Sequence, residues 1–222
     1  MLDRLRKKHS GDIVSVAASG PSADLFKKGA DITIGVNGAA FLDHKFDYFL
    51  CGDKNSYTKD WFTVECSYVR VIARLVASMD IILYPEKKFP NLERLAVPQH
   101  EQRKVRHVPE PIPPHLIYSY KWYAEGRLAE DMDFLMFGGT ISCCAVQLAY
   151  IMGAKEVELY GCDFHHSRRS HYFYNAGPGQ VGRVRPSQCE VMDKLLKEVR
   201  DRGVRVSMFG PSRLTQFDRQ YK

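Results

Sequence analysis

The apolar positions of this chain fall into short runs, and each run is followed by a turn or by a polar segment. Residues 12–18 form the first run, residues 31–37 the second and residues 46–52 the third; helical patterns at 23–28 and 39–44 separate them. Strands that alternate with helices at this spacing predict a parallel sheet, whose ligands bind at the carboxyl ends of the strands.

The last third of the chain repeats this alternation. Residues 138–152 begin with two glycines and a threonine and are apolar around most of a helical surface, which predicts a buried helix. A strand at 155–160, an amphipathic helix at 187–202 and a strand at 204–209 follow. We therefore expect an α/β fold, namely a Rossmann-like, doubly wound, mostly parallel sheet with a small lid or loop region.

The middle of the chain, residues 55–131, has a weaker pattern. Residues 69–77 fit either a helix or a buried strand, and residues 80–84 predict a strand. Several prolines, including a run at 109–114, interrupt any longer element and indicate long connections.

Length and composition favour one globular domain over residues 1–222. The chain has 45% hydrophobic and 26% charged residues, and no repeat is visible. No run approaches about 20 apolar residues, so no transmembrane segment is expected, and the N-terminal region lacks the cleavage pattern of a secretory signal. Six irregularly spaced cysteines without a C-x-x-C pair predict buried free thiols in the cytoplasm: Cys51, Cys66, Cys143, Cys144, Cys162 and Cys189.

The net charge of +6 is carried largely by basic clusters at residues 4–8, 103–106, 168–169 and 183–185. These clusters are not interleaved with aromatic residues along one element, so a nucleic-acid groove is not expected. A phosphorylated small molecule or a polyanionic surface accounts for the charge equally well. A peripheral membrane association and assembly into a homo-oligomer stay open.

The first turn, Ser19-Gly20-Pro21-Ser22, lies between a strand and a helical pattern. Glycine permits close approach of a ligand, proline suits a first helical turn, and serine caps free N–H groups. Such a turn predicts a phosphate site, although an ordinary strand-to-helix turn has the same residues. In a parallel sheet, Asn37 and Asp53 end the next two strands and would lie at the same edge as Ser22.

A second set of candidates follows the strand at 155–160. Asp163, like Asp53, suits a ribose or metal contact, or else a turn position. The loop after it contains His165, His166 and His171 with two arginines, which supplies a proton acceptor and phosphate ligands. The alternatives are a solvated basic loop and, less favoured, a metal site at these histidines; no metal is expected.

Residues 165–186 are predicted to form a mobile lid. The segment 177–182 matches G-x-G-x-x-G but follows a loop rather than a strand, so we do not interpret it as a dinucleotide fingerprint. Arg183 and Arg185 would move with the lid toward a bound phosphate.

The order of these motifs resembles a known group of proteins. The turn at 19–22, Asn37, the threonine-led helix and above all residues 153–164 (GAKEVELYGCDF) are similar to glycosyltransferase family 42, the bacterial sialyltransferases, and to the related flagellin-glycosylation accessory and domain-of-unknown-function 115 proteins. The similarity covers about half of the chain. It implies a sheet of the GT-A-variant type, with the donor nucleotide held at Ser19, Gly20, Pro21, Ser22 and Asn37, and its phosphate or ribose at Thr140, Ile141 and Ser142.

The sequence also departs from this family. Family 42 enzymes carry two tyrosines, six residues apart, after the Asp-Phe motif, where this chain has His165 and His171. The family's catalytic histidine lies before the last helix, where residues 181–187 contain none. The resemblance therefore implies either that His166 or His171 removes the proton or that the reaction is not sialyl transfer.

We accordingly expect a metal-independent glycosyltransferase that uses a nucleotide-sugar donor and a glycan acceptor, by single displacement with a general base. The alternative is a diphosphokinase of the pterin pyrophosphokinase-like type, with Mg²⁺ held at Asp53 and Asp163. A non-catalytic nucleotide-binding module is the third reading.

Overall fold

The computed structural model describes residues 5–27, 29–44, 46–51, 70–73, 128, 135, 138–164 and 184–221. Over this part of the chain, seven strands form one sheet in which all neighbours are parallel. They are β1 (Ile13–Ala17), β2 (Ile32–Val36), β3 (Tyr48–Cys51), β4 (Arg70–Ala73), β5 (Glu156–Tyr160), β6 (Arg205–Phe209) and β7 (Arg219–Tyr221). The expected α/β class is confirmed.

The strand order is β4-β3-β2-β1-β5-β6-β7. From β1, the chain builds the sheet outward on one side through β4 and then returns to β5 on the other side of β1. The direction of strand addition therefore reverses between β1 and β5. In open parallel sheets, the loops leaving the carboxyl ends of strands diverge at such a reversal and leave a crevice there.

In the described part of the chain, two α-helices cover one face of the sheet. Helix α1 (Ile141–Ile151) is apolar on nearly every side and is almost wholly buried, as its sequence predicts, against β1, β2, β3 and β5. Helix α2 (Pro186–Asp201) buries one stripe against β6 and α1. The apolar side chains of the strands join both helices in a single core, which includes Val16, Ile34, Leu159 and Met208.

A layer of aromatic rings lies on the opposite face. The last residues of β5, β6 and β7 are in register, and their rings stack in the order Tyr160, Phe209 and Tyr221. Phe26, from the connection after β1, meets the edge of the Tyr160 ring. Small residues in the same row of β1 and β2, Ala17 and Gly35, leave room for such rings.

Polar side chains form the neighbouring row of this face. The Ser15 hydroxyl donates to the Glu158 carboxylate at 2.6 Å, and the Tyr160 hydroxyl donates to the same carboxylate at 3.3 Å. Burial and the Glu158 carboxylate raise the pKa of Tyr160, so its hydroxyl stays a donor at neutral pH. Since Ser15 is fully buried, these hydrogen bonds satisfy polar groups inside the sheet layer.

The expected helices after β1 and β2 are shorter than predicted. Where a helix was expected at 23–28, a five-residue 3-10 helix spans Pro21–Leu25, and where one was expected at 39–44, another spans Asn37–Phe41. The ambiguous segment 69–77 contains strand β4, and β7 was not predicted at all. Three residues in β7 are too few to show a periodic pattern.

The segment before β1 is fastened to the sheet by side chains. His9 lies between two partners, with Nδ1 at 3.3 Å from the Asp12 carboxylate and Nε2 at 2.9 Å from the Tyr48 hydroxyl. Lys8 donates to the same hydroxyl at 3.3 Å. The first residues thus join β1 to β3 at the amino ends of the strands.

The prediction of buried free thiols is confirmed for Cys143, Cys144 and Cys162. Cys189 is a free thiol that is only partly buried. Cys66 lies outside the described residues. No helix in the described ranges is both long enough and apolar enough to cross a lipid bilayer.

Candidate functional site

The turn after β1 packs directly on the turn after β5. The Gly20 amide donates to the Gly161 carbonyl at 2.9 Å, and the Gly161 amide donates to the Ser22 hydroxyl at 3.0 Å. The Ser22 amide donates to the Asp163 carboxylate at 3.0 Å. These hydrogen bonds cross the boundary between β1 and β5, where the strand order reverses.

Glycine at position 20 is required by this packing. A Cβ atom there would overlap the Asp163 carboxylate and the Gly161 carbonyl. The sequence predicted that this glycine admits a ligand, whereas in the structure it admits these protein groups. Ser22 lies inside the 3-10 helix, and its hydroxyl accepts a bond from the Gly161 amide instead of capping the helix N-terminus as expected.

Asp163 supplies the negative charge at the turn. Its side chain is buried, since the residue is only 2% exposed, and its main-chain carbonyl accepts a hydrogen bond from the Arg213 amide at 2.9 Å. A carboxylate that accepts from a backbone amide at the start of a helix is in a favourable electrostatic position. Asp163 therefore positions the turn through its hydrogen bond to the Ser22 amide.

The end of β2 belongs to the same edge. The Ser19 hydroxyl donates to the carbonyl of Val36 at 3.3 Å, directly before Asn37. The structure therefore brings Ser19, Ser22, Asn37 and Asp163 to the carboxyl ends of three adjacent strands, as expected from the sequence.

Two non-glycine residues at this edge adopt positive φ angles. Asn37 has φ of 49° at the end of β2, and Phe164 has φ of 54° after Asp163. Asparagine adopts this region readily, whereas it is costly for a bulky residue such as Phe164 and persists there only because surrounding contacts impose it. The backbone after Asp163 is thus held in a conformation that local preference does not favour.

The amino terminus of α1 approaches the end of β5. Thr140 is the N-cap residue, and its hydroxyl accepts from the Ser142 amide at 3.4 Å. Cys162, beside Ser142, is fully buried, and burial together with the Asp163 carboxylate raises the pKa of its thiol to about 12. Thr140, Ile141 and Ser142 therefore lie beside the residue that precedes Asp163; Ile141 and Ser142 are buried.

Arg185 is linked to the same region through one side chain. Its amide donates to the Gln188 Oε1 atom at 2.6 Å, and the Gln188 side-chain amide donates to the carbonyl of Gly139, next to Thr140. The first turns of α1 and α2 are thereby held together. Arg185 is exposed at the N-cap of α2, and its expected role as a phosphate ligand stays a prediction.

A second Gly-Pro-Ser turn, residues 210–212, completes the contact set. The Ser212 hydroxyl donates to the Cys162 carbonyl at 2.7 Å. Gly210 has φ of +87°, and a Cβ atom there would overlap the Ser22 side chain. Neither this turn nor Gly161 was predicted as part of the site. The repeat of the opening Gly-Pro-Ser motif after the last predicted strand was the available signal.

Several predicted site residues lie outside the described part of the chain: Asp53, His165, His166, His171 and Arg183. The same holds for the predicted lid at 165–186, except for its last three residues. Their roles stay predictions. Within the described ranges, no group of three or more His, Cys, Asp or Glu side chains is arranged to hold a metal ion.

Comparison with known proteins gives no relative. No protein-family model, no curated protein and no solved structure matches this chain.

Proposed function

We propose that the carboxyl edge between β1 and β5 binds the nucleotide of an activated sugar donor, and that the protein transfers the sugar to a hydroxyl of a glycan. The observation that supports this is the Ser22–Asp163 hydrogen bond across the point where the strand order reverses. Ligands of open parallel sheets bind at this point. The proposal includes a Rossmann-like, doubly wound fold of the GT-A-variant type and the resemblance to family 42.

In this proposal the turn at 19–22 forms one wall of the nucleotide site, and Asn37 and the Thr140 helix start form the adjoining wall. Asp163 fixes the turn through its hydrogen bond to the Ser22 amide. Because a carboxylate already accepts from the Ser22 amide, the donor's phosphate has to be neutralised by other groups. Arg185, Arg183 and the histidines after Asp163 are the cationic and hydrogen-bonding candidates.

Sugar transfer from a nucleotide requires two further functions. A base removes the proton of the acceptor hydroxyl as the new glycosidic bond forms, and donors stabilise the departing phosphate as the old bond breaks. His166 or His171 supplies the base in this mechanism. His165 and the arginines stabilise the leaving group.

The Mg²⁺-dependent diphosphokinase is the second candidate in this scheme, with Asp163 as a metal ligand. The burial of Asp163 and its bond to the Ser22 amide favour a structural anion over an accessible metal ligand. The geometry of the described residues therefore supports the glycosyltransferase better.

A thermal-shift experiment with CMP, UDP, GDP and ATP tests nucleotide binding. A ligand at about 100 times its dissociation constant adds about 2.7 kcal/mol to the free energy of unfolding. A positive shift with at least one nucleotide supports the proposal, and no shift with any of them contradicts both enzyme mechanisms.

Turnover in the presence of EDTA separates the two enzymes. A glycosyltransferase of the proposed type releases the nucleotide from a nucleotide sugar at the same rate with and without the chelator. Loss of turnover that added Mg²⁺ restores would favour the diphosphokinase and contradict metal-independent sugar transfer.

A further inference from the structure

Three rings form a continuous stack across β5, β6 and β7. The centroids of Tyr160 and Phe209 are 4.2 Å apart with the planes inclined by 17°, and those of Phe209 and Tyr221 are 4.5 Å apart with the planes inclined by 16°. The stack follows from the parallel register, which places these three residues side by side. Its members become more exposed outward, from 3% at Tyr160 to 41% at Tyr221.

The outer end of the stack presents an aromatic surface. Phe209 covers one face of the Tyr221 ring, and among the described strands β7 is the last of the sheet. Arg219 lies two residues before Tyr221 on the same exposed strand. A flat group placed against the outer face would continue a stack whose orientation the protein already holds.

This surface is joined to the proposed nucleotide site through Gly210. The Gly210 amide donates to the Tyr221 carbonyl at 2.7 Å, and the other side of Gly210 packs against Ser22. Leu25, which is 38% exposed, also borders Gly210. The phosphate-binding region and the end of the stack are thus neighbours at one edge of the sheet, as the phosphate and base of one nucleotide are.

We propose that the exposed face of Tyr221 stacks with the nucleobase of the donor nucleotide. This inference rests on the nucleotide binding in the proposed function, and it does not depend on the sugar transfer. Every nucleobase has a flat π face, so an aromatic side chain can stack on any of them. Such stacking contributes affinity without a particular pattern of hydrogen-bond donors and acceptors on the base. Arg219 adds a positive charge beside the ring.

Variants of Tyr221 test the proposal by titration with CMP, UMP, GMP and AMP and, in parallel, with inorganic pyrophosphate. Tyr221→Leu keeps apolar volume but removes the flat ring, and Tyr221→Phe keeps the ring. Loss of a base-stacking side chain weakens binding by about 5- to 150-fold, so we expect about tenfold or more for Tyr221→Leu. Tyr221→Phe should stay within about threefold of wild type, and pyrophosphate binding should not change.

Phe41→Leu is the matched control, because Phe41 is 39% exposed but is not a member of the stack. It should bind all probes as wild type does. If Tyr221→Leu binds the mononucleotides with wild-type affinity, the proposal is wrong. It is also wrong if the variant loses affinity for pyrophosphate as much as for the mononucleotides, because this would indicate that the turn at 19–22 is disturbed. Binding of none of the four mononucleotides by the wild type overturns it as well.

Two further results separate this inference from the proposed function. Nucleotide binding that depends on Tyr221, without turnover of any nucleotide sugar, leaves the stacking site intact and contradicts the transferase. Turnover of a nucleotide sugar with an unchanged KM in Tyr221→Leu contradicts the stacking site and leaves the transferase intact. Concentration-dependent dimerisation that Tyr221→Leu abolishes would assign the ring to a second copy of the chain and overturn the proposal.

Discussion

The backbone amide of Ser22 donates a hydrogen bond to the carboxylate of Asp163 at 3.0 Å, and this bond connects the loop after β1 to the loop after β5. The two residues are 141 positions apart in the chain. Their contact holds the predicted phosphate-binding turn in place with an anion that belongs to the protein itself. This arrangement leads to separate expectations for the turn and for the carboxylate.

Gly20→Ala should destabilise the protein and weaken nucleotide binding. The added methyl group would overlap the Asp163 carboxylate and the Gly161 carbonyl, and the carbonyl belongs to the backbone, which cannot move aside as a side chain can. Overpacking of this kind costs about 1–3 kcal/mol, measurable as a lower midpoint of urea denaturation at constant m-value. Gly29→Ala is the control: a Cβ atom at Gly29 meets no atom within 4 Å, so a change within about 0.5 kcal/mol is expected. Equal stability of the two variants would contradict the tight packing of the turn.

Replacement of Asp163 should distinguish a structural anion from a metal ligand. Asp163→Ala leaves the Ser22 amide without this acceptor in a buried site and should cost about 1–3 kcal/mol of stability, whereas Asp163→Asn retains an oxygen acceptor and should cost less. The exposed Asp24 offers a control, Asp24→Ala, with little effect. If Asp163→Asn keeps its stability but abolishes turnover unless Mg²⁺ is raised, Asp163 holds a metal and the structural assignment is wrong.

The histidines after Asp163 are expected to carry the proton transfer. His166→Ala or His171→Ala should lower the rate of nucleotide release from a nucleotide sugar by about 100-fold or more when the replaced residue is the general base. Nucleotide affinity, followed by thermal shift, should change much less in that variant. Unchanged turnover in both variants would assign the base to another residue.

The hydroxyl of Tyr48 should contribute to stability through His9 and Lys8. Tyr48→Phe removes the partner at 2.9 Å from His9 Nε2 and at 3.3 Å from Lys8 Nζ, and we expect a loss of about 1 kcal/mol in chemical denaturation. Tyr150→Phe removes a hydroxyl that accepts a solvent-exposed hydrogen bond from Arg202 and should cost less. Similar losses of stability in both variants would show that the contact of Tyr48 with His9 stabilises the protein no more than an exposed hydrogen bond does.

Acid should weaken the attachment of the segment before β7. Partial burial acts to raise the pKa of Asp218. Hydrogen bonds from Arg200 and from the Val206 amide outweigh this effect and hold the pKa below its usual value of 3.8. Because the folded pKa is the lower one, this stabilisation is present above pH 3.8 and is lost as the pH falls through the folded value. The side chain is 32% exposed, so solvent screening keeps the effect below about 1 kcal/mol.

Denaturation midpoints at pH 7 and near pH 3 measure this contribution. Asp218→Asn cannot ionise, so its stability should fall less than that of the wild type between the two pH values. An identical fall in both proteins would mean that Asp218 does not contribute to the acid sensitivity.

The confirmed predictions came from elements with strong patterns. Helix α1 is apolar on all sides, which only a buried position satisfies, and α2 has one apolar stripe, which only a surface position satisfies. The segments after β1 and β2 were harder to predict. Both 3-10 helices span only five residues, and helix periodicity is recognised only over a longer window. The candidate residues at the carboxyl edge were predicted from a general property of parallel sheets.

The sequence by itself determined the α/β class, the strands β1, β2, β3, β5 and β6, the two α-helices and the edge of the sheet where Ser22, Asn37 and Asp163 lie, because hydrophobic periodicity and turn residues are local properties. Only the tertiary structure decided the partners at that edge. The Asp163 carboxylate takes the Ser22 amide, Gly210 packs against Ser22, and Tyr160, Phe209 and Tyr221 stack in one row. These contacts join residues far apart in the chain, and they depend on strand order and register, which local patterns do not specify.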